Sequence, residues 1–409
     1  MTSRCNTEIM KVSLRNFKTL SNVSGLLDDR FDTKENALTA VRWGFAVLVI
    51  VSHSFPLGHY HGGSGVFSFA PYEDLGGLAV AGFFVLSGFL ITRSYQSSKS
   101  VWSFLWKRFL RIMPAFWLSL LLVAFVFGPI AWVHEHQHLT GYFSFGTDSP
   151  WRYIKVNFFL TINQWNIHGL LGATPFAKTS HVLAWNGSLW TLIYEARCYI
   201  LVAILGALGL LRHRWTVIAL TILFYGVMIL SSVIPPVSAM NPNGMIQVFP
   251  AWVPNAQANL FFLFFLGSCF ALFSDRIVMS DKWGLAAIIG CGVFVRYGGW
   301  QEIGFPLFAY SLMWFTTRVN LSWFEKFGDP SYGTYVLAFP IQMMLAEFGY
   351  SDFGKFDGPI GIIEFMVLSV VLSTLAGYFS WHILEKHALK FKNGVRHLGT
   401  RQNSSSVSA

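Results

Sequence analysis

Long apolar segments are the feature that most constrains this chain. A helix needs about 20 mostly apolar residues to cross a bilayer. Ten segments reach or approach that length, with predicted bounds 37–57, 76–92, 112–133, 188–211, 216–235, 257–274, 283–299, 303–317, 331–348 and 359–384. Charged residues make up only 12% of the chain, whereas a soluble domain carries about twice that share. The sequence therefore predicts an all-α polytopic membrane protein, a bundle of about ten transmembrane helices.

The basic residues predict the side of the membrane on which each loop lies. With a cytosolic N-terminus, five of the 29 Lys and Arg face outward and two lie within spans, which leaves 22 on the cytosolic side. This distribution follows the positive-inside rule, and it accounts for the net charge of +9 without a nucleic-acid partner. We expect both termini to be cytosolic. Three parts are predicted: an N-terminal tail over 1–36, a transmembrane domain over 37–390, and a largely disordered C-terminal tail over 391–409.

Two polar residues interrupt the first predicted span. Arg42 and His53 are eleven positions apart, so on a helix they lie about 20° from eclipsed and roughly 16 Å apart along the axis. An arginine inside a span costs about 2.5–3.5 kcal/mol on insertion scales, and it usually faces a bundle interior, a cavity or a counter-charge. Either residue alone would be interpreted as an interfacial side chain. Their shared face favours a functional pair.

A basic cluster precedes the apolar part of the third predicted span, in the stretch "WKRFLRIMPAFW". Arg108 and Arg111 are three positions apart and Lys107 is beside them. Two guanidinium groups on one helical face form a suitable clamp for phosphates. The alternative is an ordinary cluster that sets the topology of the helix.

The stretch "WNGSLWTLIYEARCY" places Glu195 and Arg197 in the fourth predicted span. Residues two positions apart on a helix point in different directions, so these two side chains need separate partners. Arg42 and His53 are candidate partners for Glu195. The alternative is a structural ion pair between helices.

Together these stretches resemble the acyltransferase family 3 membrane proteins, which O-acylate bacterial surface sugars and some small molecules. The resemblance runs from about Asp32 to Leu389. The matching positions are Arg42 and His53, "FFVLSGFLI" at Phe83–Ile91, Arg108 and Arg111 with Pro114 and Trp117, Glu195 within "SLWTLIYEARCY", and Ser331, Tyr332, Ser380 and Glu385 near the end. Many members carry a histidine just before a late proline, but Ala338 and Phe339 precede Pro340 here. His53 is therefore the leading candidate for proton transfer.

The resemblance implies a multi-pass enzyme of the bacterial cytoplasmic (inner) membrane. Such an enzyme moves an acyl group, most often acetyl, from cytosolic acyl-CoA to a hydroxyl of a surface polysaccharide or its lipid-linked precursor. Acetyl-CoA is then a substrate, and no bound cofactor is expected. His53, Arg42 and Glu195 are the expected catalytic residues, and Arg108, Arg111 and Lys107 the expected acyl-CoA-binding residues. His53 can act either as a general base or as a nucleophile that carries the acyl group.

Other features leave alternatives open. The candidates for the acceptor site are His59, His61, Trp190 and Tyr194. The long outer loop 134–187 contains "NFFLTINQW", which is too short to span and either dips into the outer leaflet or forms part of a pocket. An extended backbone through "HEHQH" would turn His134, His136 and His138 to one side and could bind zinc, but a solvated cluster is the preferred interpretation, and no metal site is predicted. The competing function is a transporter or flippase for a polysaccharide precursor or another anionic solute.

Overall fold

The structure, a computed structural model, describes residues 24–32, 35–63, 65, 67–233, 257–352 and 358–392. The first 23 residues of the predicted N-terminal tail, and residues 393–409 with their predicted disorder, lie outside this part. The described α-helices are α1 (Leu27–Arg30), α2 (Leu38–Gly58), α3 (Leu75–Gln96), α4 (Val101–Leu122), α5 (Gly128–His136), α6 (Pro150–Asn157), α7 (Pro175–Ser180), α8 (Trp190–Ala207), α9 (Arg214–Val233), α10 (Ala258–Leu272), α11 (Asp281–Tyr297), α12 (Phe305–Arg318), α13 (Ser331–Glu347), α14 (Gly358–Ser380) and α15 (Lys386–Ala388).

Short irregular helices connect several of these elements. The π-helical turns are Val123–Phe127, which joins α4 to α5, Trp300–Gly304 before α12, and Trp381–Glu385 after α14. The 3₁₀ turns are Tyr60–Gly63, Gly187–Leu189, Leu210–Arg212 and Ser322–Phe327. The described strands are β1 (Gly25–Leu26) and β2 (Val278–Met279), which pair antiparallel. The described chain is thus mostly helical with almost no strand, as predicted.

Five helices within the described residues are long and apolar enough to cross a membrane. They are Leu38–Gly58, Leu75–Gln96, Val101–His136, Gly187–Ala207 and Ile360–Lys392. Two shorter apolar helices cover Arg214–Leu230 and Ala258–Leu272. The chain is therefore a helical membrane protein. The predicted number of ten spans and the predicted side of each terminus stay predictions.

The third span differs most from its predicted bounds of 112–133. Helix α4 begins at Val101, where the side chain of Ser100 accepts a hydrogen bond from the Ser103 amide. Lys and Arg are good helix formers, so the basic cluster continues the helix although it lowers the local hydropathy. Arg108 and Arg111 therefore lie on one helix, as expected from their spacing.

The seventh and eighth predicted segments, 283–299 and 303–317, are separate helices in the structure. Gly298 and Gly299 separate α11 from the turn before α12, with φ angles of 101° and 81°. Only glycine adopts such angles without strain, so the two glycines end the helix.

The described part of the chain forms two compact units. The first comprises 24–32, 35–56, 61–63, 65, 67–93, 209–233 and 257–331. Within it, α3 and α10 touch backbone to backbone: a Cβ at Gly88 would overlap the Phe264 carbonyl, and one at Gly267 would overlap the Val85 carbonyl. Ser268 Oγ also donates to the Gly88 carbonyl oxygen at 3.3 Å. This small-residue contact is typical of helix pairs in membranes.

The second unit comprises 57–60, 94–208, 332–352 and 358–392. A buried polar network fixes the start of the fourth span within it. Asn186 Nδ2 donates to Ser119 Oγ at 3.0 Å and to the Val336 carbonyl at 2.7 Å, and Ser119 Oγ donates to the same carbonyl at 3.1 Å. The Tyr335 hydroxyl lies 2.7 Å from Thr191 Oγ1. These bonds satisfy groups that would otherwise be costly to bury.

We expect Gly88→Ala to lower the free energy of unfolding by about 1–3 kcal/mol, because the new methyl group must displace a helix backbone. The matched control is Gly44→Ala in α2, where a Cβ would meet nothing within 4 Å. Thermal unfolding of the purified variants in detergent measures both. Equal melting temperatures for the two variants would contradict the close contact of α3 and α10.

Candidate active site

Arg42 has a carboxylate partner inside the first unit. Its Nη1 atom lies 2.8 Å from Asp329 Oδ2, and both side chains are mostly buried, with exposed fractions of 24% and 17%. The other oxygen of Asp329 accepts from the Ser331 amide at 3.3 Å and from Ser331 Oγ at 2.5 Å. One carboxylate therefore caps the start of α13 and neutralises the arginine. Sequence reasoning did not identify Asp329 as the partner of Arg42.

His53 lies near the other end of α2, beside a second carboxylate. Ser52 Oγ donates to Asp74 Oδ1 at 3.2 Å, and the Gly77 amide donates to the same oxygen at 2.8 Å. These bonds hold Asp74 close enough to His53 for its charge to act on the imidazole, whose Nδ1 atom is shielded from solvent. Sequence reasoning missed Asp74, although "YEDLGG" just before the second span was a possible signal.

Glu73 adds another acidic group to the same region. Trp300 Nε1 donates to Glu73 Oε2 at 2.6 Å, and the Asp74 amide donates to Glu73 Oε1 at 3.1 Å. Burial raises the pKa of Glu73 to about 7, against the opposing effect of the tryptophan hydrogen bond. The histidine end of α2 is thus bordered by a carboxylate that accepts a proton near neutral pH.

The polar face predicted for α2 therefore has a definite chemical setting. Arg42 and His53 share one helix as expected; Arg42 pairs with Asp329, and Asp74 is bonded to Ser52, the residue before His53. A cation balanced by a carboxylate attracts anionic groups less strongly than a bare one. A histidine beside a carboxylate can take up a proton and have the resulting charge stabilised.

The basic cluster of α4 lies in the second unit. Lys107 Nζ is 3.4 Å from Ser98 Oγ, and Arg108 Nη2 is 3.5 Å from Ser94 Oγ. These contacts help to orient the two side chains, and cations of this kind are suited to hold phosphate oxygens.

Arg111, the third basic residue of the cluster, contacts a buried carboxylate. Its Nη1 atom is 3.5 Å from an oxygen of Glu385, whose side chain is 1% exposed. Ser380 Oγ donates to the same carboxylate at 2.8 Å. The guanidinium also lies 5.9 Å from the Tyr332 ring and 5.7 Å from the Trp381 ring. Arg111 thus contacts two of the motif positions near the end of the chain, Tyr332 and Glu385, and neutralises the buried carboxylate to which a third, Ser380, donates.

The fourth-span residues have neighbours on their own helix, α8. The Tyr199 hydroxyl donates a short hydrogen bond to Glu195 Oε1. The Arg197 guanidinium lies 5.2 Å from the Tyr194 ring, and that ring meets Trp190 edge-on at 5.9 Å. The two acceptor-site candidates of this helix therefore lie side by side. The predicted pairing of Glu195 with Arg42 or His53 stays a prediction.

The other histidines considered in the sequence analysis lie in loops or near the ends of helices. His59 and His61 have positive φ angles of 59° and 50°, and the ring of His61 lies 6.0 Å from that of Phe55. The extended backbone considered for "HEHQH" is wrong, because α5 continues through His136. His134 Nδ1 is 3.0 Å from Glu347 Oε1 instead. The described residues contain no group of three or more His, Cys, Asp or Glu side chains that could hold a metal ion.

Apolar helices of membrane-spanning length, together with ionisable side chains inside them, define an integral membrane protein with a candidate proton-transfer site. A family model described as an acyltransferase domain matches residues 35–378, most of the chain. The protein therefore belongs to this acyltransferase family, which confirms the resemblance of its motifs. An O-acetyl transferase of Shigella phage Sf6 is 28% identical over 368 residues, which cover 87% of this chain and 96% of the phage protein. No solved structure matches the chain.

We expect Asp329→Asn to lower the free energy of unfolding by about 2 kcal/mol. The asparagine keeps an acceptor for the Ser331 amide but leaves the Arg42 charge unbalanced. Because both side chains are partly exposed, the loss is smaller than for a completely buried ion pair. The control is Glu325→Gln, the same change at an exposed residue of the same unit. Thermal unfolding in detergent measures the difference. Equal stability of the two variants would show that the Arg42–Asp329 pair does not support the fold.

Proposed function

We propose that this protein is a membrane O-acyltransferase. It moves an acetyl group from cytosolic acetyl-CoA to a hydroxyl of a surface polysaccharide or its lipid-linked precursor, at the bacterial inner membrane. The observation that most supports this proposal is the position of His53 on α2, near Asp74 and on the same helix as Arg42, which pairs with Asp329. The chain also belongs to the acyltransferase family. The O-acetyl transferase relative from Shigella phage Sf6 supports acetyl as the transferred group.

In the direct route, the oxygen of the acceptor hydroxyl attacks the thioester carbonyl carbon, and His53 takes the proton of that hydroxyl. The new C–O bond forms, the C–S bond breaks, and the proton passes to the departing CoA thiolate. Asp74 stabilises the imidazolium that exists between these two proton transfers. In the alternative route His53 carries the acyl group on a ring nitrogen, and an acyl-enzyme precedes attack by the acceptor.

The donor is the substrate with the strongest charge. Acyl-CoA carries several phosphate charges, and Lys107, Arg108 and Arg111 are the basic side chains clustered on α4. We assign the phosphates to this cluster. Arg111 contributes through its position, but Glu385 balances part of its charge.

A transporter or flippase is the second candidate function. Ionisable residues inside a membrane protein occur in both classes and do not separate them. Membership of the acyltransferase family favours the enzyme. The two functions differ in one measurable property, since a transporter has no requirement for acyl-CoA.

We expect His53→Ala to abolish acyl transfer while the protein still inserts and folds. Loss of a general base costs about 100- to 10,000-fold in rate. The control is His213→Ala at an exposed position of the first unit. Transfer of radiolabelled acetyl groups to isolated glycan, with thermal unfolding as the folding check, measures the effect. A normal rate in the His53 variant would refute its assignment.

We expect Arg108→Ala to raise the KM for acyl-CoA about tenfold or more, because a hydrogen bond to a charged group contributes about 1.5–3 kcal/mol. Arg111→Ala should raise KM and also lower stability, since it leaves Glu385 buried without its cation. The double variant Arg111→Ala with Glu385→Gln should regain stability but keep the raised KM. Unchanged saturation by acyl-CoA in all three variants would rule out the phosphate clamp.

A further inference from the structure

The long loop after α5 folds into a hairpin that descends along the third span. We define the hairpin as residues 149–167. Helix α6 runs toward the basic end of α4, and the non-helical residues 158–167 run back in the opposite direction. Its base is closed where the His168 amide donates to the Asp148 carbonyl at 3.1 Å and Gln164 Nε2 donates to the Ser149 carbonyl at 3.3 Å. All of these residues belong to the second unit.

Two aromatic contacts fix how deep the hairpin reaches. Near its base, the ring of Trp151 lies 5.3 Å from Phe125, in the turn between α4 and α5. At its tip, the ring of Phe158 stacks on Trp117 of α4 at 4.9 Å, and Trp117 Nε1 donates to the Phe158 carbonyl at 3.0 Å. Since Trp117 precedes Phe125 by eight residues, the tip lies about 12 Å nearer the basic end of α4 than the base does.

The same helix sets a membrane scale. Trp106, beside Lys107, marks the basic end of the span, where tryptophan and cations commonly border the hydrocarbon. By helix rise, Phe125 lies about 28 Å from Trp106, close to the thickness of a hydrocarbon core, and Trp117 lies about 16 Å from it. The base of the hairpin is therefore at the opposite membrane surface, and its tip is near the midplane.

The tip presents apolar side chains outward. Phe159 is 75% exposed and Phe158 is 38% exposed, and no charged residue occurs from Val156 to Ile167. Lys155 is one turn above the tip on α6, and its long side chain can extend toward the surface. Exposure of these phenylalanines to water would be unfavourable, whereas contact with lipid chains buries their apolar surface.

The returning segment provides its own hydrogen-bond partners. Asn157, which is completely buried, donates to the Gln164 carbonyl at 2.7 Å and accepts from the amides of Asn163 at 2.8 Å and Gln164 at 3.0 Å. Asn163 Nδ2 donates to the Val156 carbonyl at 2.8 Å, and Gln164 Nε2 donates to the Asn166 carbonyl at 2.8 Å. Non-helical backbone persists at membrane depth only where its polar groups are satisfied within the protein.

From these observations we infer that residues 149–167 form a re-entrant hairpin, whose tip at Phe158 and Phe159 is immersed in the lipid hydrocarbon of the leaflet opposite the basic end of α4. Trp151 and the 87%-exposed Phe145, whose rings stack at 6.0 Å, then lie at the surface of that leaflet. The hairpin anchors the loop to the bilayer independently of the proposed acyl transfer.

The test uses full-length protein in proteoliposomes, with the four native cysteines replaced by alanine. Phe159→Cys places a thiol at the tip, and the matched control Phe145→Cys places one on an exposed aromatic position of the same loop. A membrane-impermeant charged maleimide should label position 159 about tenfold more slowly than position 145, because hydrocarbon excludes both the thiolate and the charged reagent. An environment-sensitive fluorophore at position 159 should be quenched by lipids brominated near the chain ends, and one at position 145 should not.

Equal labelling and equal quenching at the two positions would overturn the inference. So would a tip that is neither labelled nor quenched, because a protein surface would then cover it. Adding Asn157→Ala to Phe159→Cys should raise impermeant labelling at position 159 toward the control rate, since the returning backbone loses three hydrogen bonds. Unchanged labelling would show that Asn157 does not hold the hairpin in place.

Discussion

A charge inside an apolar helix bundle must be balanced, and the Arg42–Asp329 pair is the clearest case in this protein. Replacing a buried ion pair by apolar residues often leaves a protein equally stable, so such pairs are weak evidence for a stabilising role. Here Asp329 joins the start of α13 to the helix that carries His53. The second unit has a comparable pair, Arg111 with Glu385. Each unit therefore holds a largely buried arginine together with its carboxylate partner.

The packing around these charges follows the needs of a membrane protein. Apolar side chains gain little by leaving lipid for a helix interface, so close backbone contact and internal hydrogen bonds matter more. In the first unit, Gly88 and Gly267 allow close backbone contact. In the second unit, Asn186 and Ser119 provide internal hydrogen bonds. The motifs "FFVLSG" and "WNGSLW" are thus explained by packing at these positions as well as by any contact with substrate.

Local features of the structure were predictable from the sequence, and tertiary partners were not. The bounds of α2 differ from the predicted 37–57 by one residue at each end, because its residues are mostly apolar over the whole length of the helix. The start of α4 was missed because Lys107 and its neighbours lower the hydropathy of a segment that is still helical. Asp329 lies 287 positions from Arg42, a separation that no local pattern can bridge. The extended backbone considered as one alternative for "HEHQH" does not occur, because α5 continues to His136 and ends there.

We propose that the polar residues of α2 belong to an acyl-transfer site and not to a solute pathway. This proposal is tested by the content of acyl esters on surface glycans isolated from cells with and without this protein. We expect esters on the glycan only when the protein is present, and their loss when acyl-CoA is withheld from isolated membranes. Identical ester content in both glycans, or transfer that continues without acyl-CoA, would contradict it.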